Sequence, residues 1–286
     1  MKHNFQLIIL LTFLFLIAQI IGLVIISHYL PETSQLPLNI EKPDIDEKTA
    51  YLPIFIAIIL ASVVILLLMK FKAFSLWKIW FLLSVFITLT IAFSAFIPPV
   101  ILSSTAIPQL IAIFLAIILS IIKIYKPNVY IHNLTELFIY GGLAAIFVPI
   151  FSILSASILL ILISIYDAIA VWKTKHMIKM AEAQKEIKVF AGMSIPYKQQ
   201  TASKKSKTKQ KITAAILGGG DIGFPMIFAG AVLKTSGFIP AILIAIFASA
   251  SLFLLFYFAE KEKYYPAMPF LSAGCFFGYL ITILIF

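Results

Sequence analysis

The sequence carries few charged residues and almost no cysteine. Only 12% of its 286 residues are charged, whereas 62% are hydrophobic and the mean hydropathy is +1.07. Soluble globular domains carry roughly 25% charged residues, so this composition excludes that class and predicts a polytopic membrane protein. The single cysteine, Cys275, lies in an apolar stretch, so no intramolecular disulfide can form.

Several chemical signatures are also missing. None of the 22 basic residues is arginine, and the lysines lie in short loops between apolar stretches, which is typical of a membrane protein and not of a nucleic-acid-binding surface. No pair of histidines has metal-ligand spacing, and no local nucleophile signature accompanies serine or cysteine. The sequence therefore predicts no metal, no other cofactor and no nucleic-acid partner. Glu136 and His132 are interpreted as interfacial residues near the start of a span.

Apolar stretches of about 17 to 25 residues are long enough to cross a membrane, and the chain has nine of them. The first is longer than the roughly 7 to 15 residues of a secretory signal core, so we expect it to be a retained anchor. Spans five and six are separated only by Pro149 and a few small residues. The predicted spans are 6–29, 51–69, 74–97, 100–122, 131–149, 151–172, 212–233, 238–259 and 266–286.

Lysines predict the orientation of these spans. Nineteen of the 22 fall in alternate loops, whereas the acidic segment 41–47 lies on the other side. Because lysine marks cytoplasmic loops, we expect an all-α protein with nine transmembrane helices, a cytoplasmic N-terminus and an extracytoplasmic C-terminus. Within one membrane domain, we distinguish a six-span half (1–172), a cytoplasmic lysine-rich flexible loop (173–211) and a three-span part (212–286). An apolar island at 189–196 interrupts the loop.

Two of the four aspartates, Asp167 and Asp221, are flanked on both sides by apolar residues. An ionisable residue at this depth is costly and usually functional. At about 1.5 Å per residue, Asp167 lies roughly 9 Å before Lys173 and Asp221 roughly 15 Å after Lys211, so the two can meet. Two carboxyl groups in contact share one proton, which lets one act as a base and the other as an acid in peptide hydrolysis.

Glycines surround the second aspartate. Gly218, Gly219 and Gly220 precede Asp221, and their lack of side chains allows a helix or a substrate backbone to approach closely. Pro225 follows and interrupts the helical hydrogen-bond ladder. The alternative interpretation is ordinary helix packing, in which small residues also recur.

Three segments together resemble a family. Tyr166-Asp167, Gly218-Gly219-Gly220-Asp221 and Pro266-Ala267-Met268-Pro269 are similar to the YD, GxGD and PAL motifs of presenilins and signal peptide peptidases, the intramembrane aspartyl proteases. The predicted orientation resembles that of presenilin, and the chain looks most like the minimal presenilin-type homologues of archaea. The resemblance implies a multi-pass protein of a prokaryotic, archaeal cell membrane that cleaves transmembrane peptides or proteins within the lipid bilayer. The sequence is compatible with a homo-oligomer.

The resemblance also implies roles for individual residues. Asp167 and Asp221 would be the catalytic pair, and the other motif residues would shape the site or bind substrate: Tyr166, Gly218, Gly219, Gly220, Pro266, Ala267, Met268 and Pro269. Met268 departs from the leucine of the PAL motif, and we expect altered substrate fit without loss of activity. Independently of the family, the two prolines leave backbone groups free to pair with an extended peptide, so we expect substrate to add as a strand near Met268 and the glycines.

Two other functions fit the buried aspartates. A proton-coupled transporter or cation channel uses carboxylates as a relay. A prepilin or preflagellin peptidase also carries a GxGD-type site, although nine spans and the segment 266–269 weigh against it.

Overall fold

The computed structural model describes residues 5–31, 34–41, 43–97, 106–174, 190–198, 212–260 and 265–286. These residues form nine α-helices and one two-stranded antiparallel sheet. The strands are β1 (Gly192–Lys198) and β2 (Ile212–Gly218). The helices are α1 (Phe5–Tyr29), α2 (Tyr51–Lys70), α3 (Phe74–Phe96), α4 (Ala106–Tyr125), α5 (Val129–Phe147), α6 (Ile153–Ala168), α7 (Gly219–Ser236), α8 (Phe238–Phe258) and α9 (Met268–Ile285).

The predicted count of nine helices is confirmed. Eight of them are long and apolar enough to cross a membrane, α6 only together with the π-helical turn Ile169–Lys173 that continues it. The ninth is α7, whose hydropathy is lowered by Asp221 and Lys234. The boundary between spans five and six is also confirmed. Pro149 lies in a short 3-10 turn that ends α5, and a capping box formed by Ser152 and Ser155 then begins α6.

Helix α7 lies at the centre of the bundle. Its residues 225–233 are all buried, and it contacts α1, α5, α6, α8 and α9. Residues 225–233 are apolar on every side of the helix, which is typical of such a central position. In contrast, α2 has no buried residue, and its main contacts are with α6 and α3. The bundle therefore surrounds α7, the helix that begins with the glycine-rich motif.

The span predicted at 212–233 is wrong at its start. Residues 212–218 form β2, and the helix begins only at Gly219. A short apolar run cannot be assigned to a strand or a helix by periodicity alone, and here an antiparallel partner decides. Gly192 pairs with Gly218 and Lys198 with Ile212, so β1 lies within the segment predicted as a flexible loop. The lysine-rich stretch 204–211 lies outside the described residues.

One face of the sheet belongs to the main core. Met193 on β1 and Ala215 and Leu217 on β2 are buried, whereas Ile216 points to the other face and is 39% exposed. This alternation is expected for a strand with one covered face. The sheet therefore docks on the helical bundle at the N-terminus of α7.

Candidate active site

Asp167 lies near the end of α6 and is buried, with 5% of its surface exposed. Its carboxylate meets the first residues of α9. The backbone N–H of Met268 donates a hydrogen bond of 3.0 Å to Asp167 Oδ2, and the N–H of Ala267 donates to the same carboxylate. The first amides of a helix have no intrahelical acceptor and attract negative charge, so the N-terminus of α9 stabilises this carboxylate.

A second contact holds α6 against α9. Ser164 lies one turn before Asp167, and its hydroxyl group forms a 2.8 Å hydrogen bond with the hydroxyl group of Ser272 on α9. Both hydroxyls lie between the two helices, where a polar contact fixes the helix pair. The bond therefore fixes the position of the Ala267 and Met268 amides relative to Asp167.

Asp221 lies in the first turn of α7 and is partly buried. The backbone N–H of Gly218 donates a hydrogen bond to its carboxylate, and Asp167 is close enough to interact with it electrostatically. The structure thus brings together the two aspartates that the sequence places in apolar segments. Each carboxylate is held by backbone amides, from the start of α9 in one case and the end of β2 in the other.

Gly219 has a steric role. A Cβ atom built on Gly219 would lie 2.6 Å from the hydroxyl oxygen of Tyr140 and 3.0 Å from its ring. Tyr140 is buried on α5, so it has little room to retreat. Glycine at this position therefore lets the tyrosine ring pack directly against the start of α7.

The other predicted site residues differ in their burial. Tyr166 is partly buried beside Asp167, and Gly220 is exposed in the first turn of α7. Around the start of α9, Pro266 and Met268 are buried whereas Ala267 and Pro269 are partly buried. All three motifs thus contribute to one region of the bundle.

Glu136 and His132, interpreted as interfacial from the sequence, have buried partners that the sequence did not predict. Glu136 on α5 is buried, with 1% of its surface exposed, and forms a 2.5 Å ion pair with the equally buried Lys123 of α4. His132 is partly buried and lies 2.7 Å from the carbonyl oxygen of Gly192. A signal for this was present, because His132, Glu136 and Tyr140 are spaced four residues apart and so share one helix face.

Sequence reasoning also missed Gln19. This buried side chain on α1 donates a 2.8 Å hydrogen bond to the carbonyl oxygen of Ile222, the residue after Asp221. The contact joins α1 to α7 near Pro225, whose missing N–H leaves the carbonyl of Asp221 without its usual intrahelical donor. An amide within an otherwise apolar run was the available signal, because polar residues in spans usually have a partner.

Comparison with known proteins identifies the family. The family model described as signal-peptide peptidase, presenilin aspartyl protease, matches residues 12–286. The chain belongs to this family. It is an integral, multi-pass membrane protein and an intramembrane aspartic endopeptidase.

Solved structures agree with the family in fold. One structure of a presenilin family intramembrane aspartate protease, in space group C222, has a TM-score of 0.69 at 21% identity and covers 98% of this chain and 99% of its own. A second, in space group P2, has a TM-score of 0.65 at 22% identity and covers 96% and 97%. The comparison with curated proteins found no match. The transporter, channel and prepilin peptidase interpretations are not favoured.

Proposed function

We propose that Asp167 and Asp221 are the catalytic pair with which the protease hydrolyses peptide bonds inside transmembrane segments. The observation that carries this assignment is their juxtaposition: the two aspartates of the apolar segments interact electrostatically across α6 and α7. Because two neighbouring carboxyl groups share a proton, one takes a proton from water and the other donates one to the substrate carbonyl oxygen. The water oxygen bonds to the carbonyl carbon, and the resulting tetrahedral species breaks its C–N bond. The released amine takes up the proton that was removed from water.

The substrate is proposed to bind as a strand on the outer edge of β2. The amide and carbonyl groups of Ala214 and Ile216 face away from β1, and no residue in the described part of the chain bonds to them. Gly218 lies on the same edge, and its N–H is the one that donates to Asp221. A peptide that pairs with this edge therefore runs directly past the Asp221 carboxylate.

A transmembrane substrate must unwind to use this edge. A helix in the bilayer satisfies its own backbone groups, so an exposed peptide bond needs replacement hydrogen bonds. The β2 edge supplies such bonds, and the site residues Tyr166, Gly218, Gly219, Gly220, Pro266, Ala267, Met268 and Pro269 are proposed to shape the space around the strand. The proposed orientation has a cytoplasmic N-terminus in an archaeal cell membrane.

The test is cleavage of a synthetic single-span peptide by the purified protein in detergent. Asp167→Asn and Asp221→Asn should each lower the rate by at least about 10³-fold, because each removes an acid or a base from the reaction. Asp44→Asn is the matched control, since Asp44 is exposed in the loop before α2. An inhibitor that mimics the tetrahedral transition state should block the parent protein.

Cleavage by either single asparagine variant at the parental rate would refute the assignment of the pair. Thermal unfolding of each variant is measured alongside, so that a lost rate is not mistaken for a lost fold.

A further inference from the structure

The outer edge of β1 is already occupied by side chains of α5. Gly192 and Ser194 alternate along this edge and point away from β2. Glu136 Oε2 accepts a 3.1 Å hydrogen bond from the N–H of Gly192, and His132 Nε2 donates a 2.7 Å bond to the Gly192 carbonyl. Asn133 binds both backbone groups of Ser194, at 3.0 Å to the N–H and 2.9 Å to the carbonyl. Three side chains thus take the place of a third strand.

A buried cation completes this arrangement. Lys123 Nζ contacts Glu136 Oε1 at 2.5 Å, Thr135 Oγ1 at 3.1 Å and His132 Nδ1 at 3.2 Å. Because the Gly192 carbonyl can only accept and the lysine donates, His132 carries its proton on Nε2 and is neutral. The positive charge of Lys123 therefore balances Glu136 alone, and the cluster is fully paired.

The same carboxylate also reaches the catalytic helix. Tyr140 donates its hydroxyl hydrogen to Glu136 Oε2, and the tyrosine packs against Gly219, the first residue of α7. The N–H of Gly219 in turn donates a 3.1 Å hydrogen bond to the carbonyl of Ala191, just before β1. Glu136 thus links the first residue of β1 to the first turn of the helix that carries Asp221.

We propose that His132, Asn133 and Glu136 are positioning residues that hold the sheet in one register before substrate binds. This inference rests on the proposed function, in which substrate adds to β2. A slip of one residue in the pairing would turn every side chain of a strand to the opposite face and move every backbone group relative to Asp221. By fixing β1, α5 fixes β2 and therefore determines which substrate bond faces the two aspartates.

The test compares two variants with the parent protein. Asn133→Leu removes both bonds to Ser194 without leaving a buried charge, and the double variant Lys123→Met with Glu136→Gln removes the ion pair as a unit. Glu47→Gln is the matched control, because it removes a half-exposed partner of Lys234 at the other end of α7. The measurements are hydrogen exchange of peptides that cover β1 and β2, the values of KM and kcat, and the cleavage positions by mass spectrometry.

Asn133→Leu should raise KM by about tenfold and change kcat by less than about twofold, because the bonds it removes hold β1, the strand that pairs with the substrate-binding strand β2. Exchange of the sheet amides should accelerate, and products from neighbouring bonds should appear. The double variant should show the same pattern, whereas Glu47→Gln should match the parent.

Parental KM, exchange and products in Asn133→Leu would overturn the proposal. So would a fall in kcat and thermal stability with unchanged KM and cleavage position, because that pattern belongs to a merely structural contact. Asp221→Asn distinguishes a failure of the proposed function from a failure of this inference. If Asp221→Asn still cleaves, the proposed function fails. Hydrogen exchange still tests whether α5 anchors β1.

Discussion

At the scale of single residues, backbone N–H groups position the side chains at the centre of this protease. Asp167 and Asp221 are each held by main-chain amides, from Met268 and Gly218 respectively. The contact of Asp167 uses the N–H of Met268 and not its side chain. This explains how methionine can replace the leucine of the PAL motif while the bond to the aspartate is kept.

Gly219→Ala should destabilise the protein by about 1–3 kcal/mol, the usual range for overpacking a buried site. Its new Cβ would lie 2.6 Å from the Tyr140 hydroxyl oxygen, and Tyr140 is itself held by Glu136. The measurement is the thermal unfolding midpoint in detergent, together with the cleavage rate.

Gly223→Ala provides the comparison, because its Cβ would lie 3.8 Å from the Tyr140 ring, an ordinary contact distance. An equal loss of stability in both variants would contradict the steric explanation and point to a general cost of replacing glycine in α7.

At the scale of elements, the important feature is the short sheet at the entrance to α7. Its two edges differ: α5 side chains occupy the edge of β1, whereas the edge of β2 presents Ala214 and Ile216. Pro196 also lies on the outer edge of β1, where its missing N–H interrupts no pairing with β2. These differences direct an incoming strand to β2.

Ile216→Pro should lower the cleavage rate by at least about tenfold, because it removes one hydrogen-bond donor from the edge proposed to bind substrate. The sheet itself should persist, since the backbone N–H of Ile216 faces away from β1 and takes no part in the pairing. Rates are compared with those of Ile216→Val, which keeps the N–H and most of the partly exposed side chain.

Hydrogen exchange of β1 shows whether the sheet has survived the substitution. If the proline variant cleaves at the parental rate with an intact sheet, substrate does not pair with this edge.

At the scale of the whole molecule, the distribution of lysine predicts how the bundle is inserted. The exposed Lys126 between α4 and α5 and the exposed Asp44 before α2 are predicted to lie on opposite sides of the membrane. Cys275 is the only cysteine and is buried in α9, so the parent chain offers a low background for thiol labelling.

Asp44→Cys should react with a membrane-impermeant maleimide in intact cells, and Lys126→Cys should react only after the membrane is opened. Labelling of the parent protein gives the background from Cys275. The reverse pattern would show that the N-terminus is extracytoplasmic and that the positive-inside distribution does not govern this protein.

The sequence by itself determined the apolar helices, their number and the family. These features are local: a span needs about 20 apolar residues, and an aspartate within such a run is conspicuous because its burial is costly. The motifs around Asp167, Asp221 and Met268 needed no knowledge of packing to be recognised.

Only the tertiary structure decided the start of α7, the sheet and the environment of Glu136. The segment 212–218 is apolar enough to be the first part of a span. It forms a strand because β1 pairs with it. Glu136 lies near one end of α5, yet it is buried because Lys123 and the amide of Gly192 meet it there. The spacing of His132, Glu136 and Tyr140 predicts a shared helix face, but the groups that meet this face come from other segments of the chain. Only the assembled bundle therefore reveals the partners of Glu136.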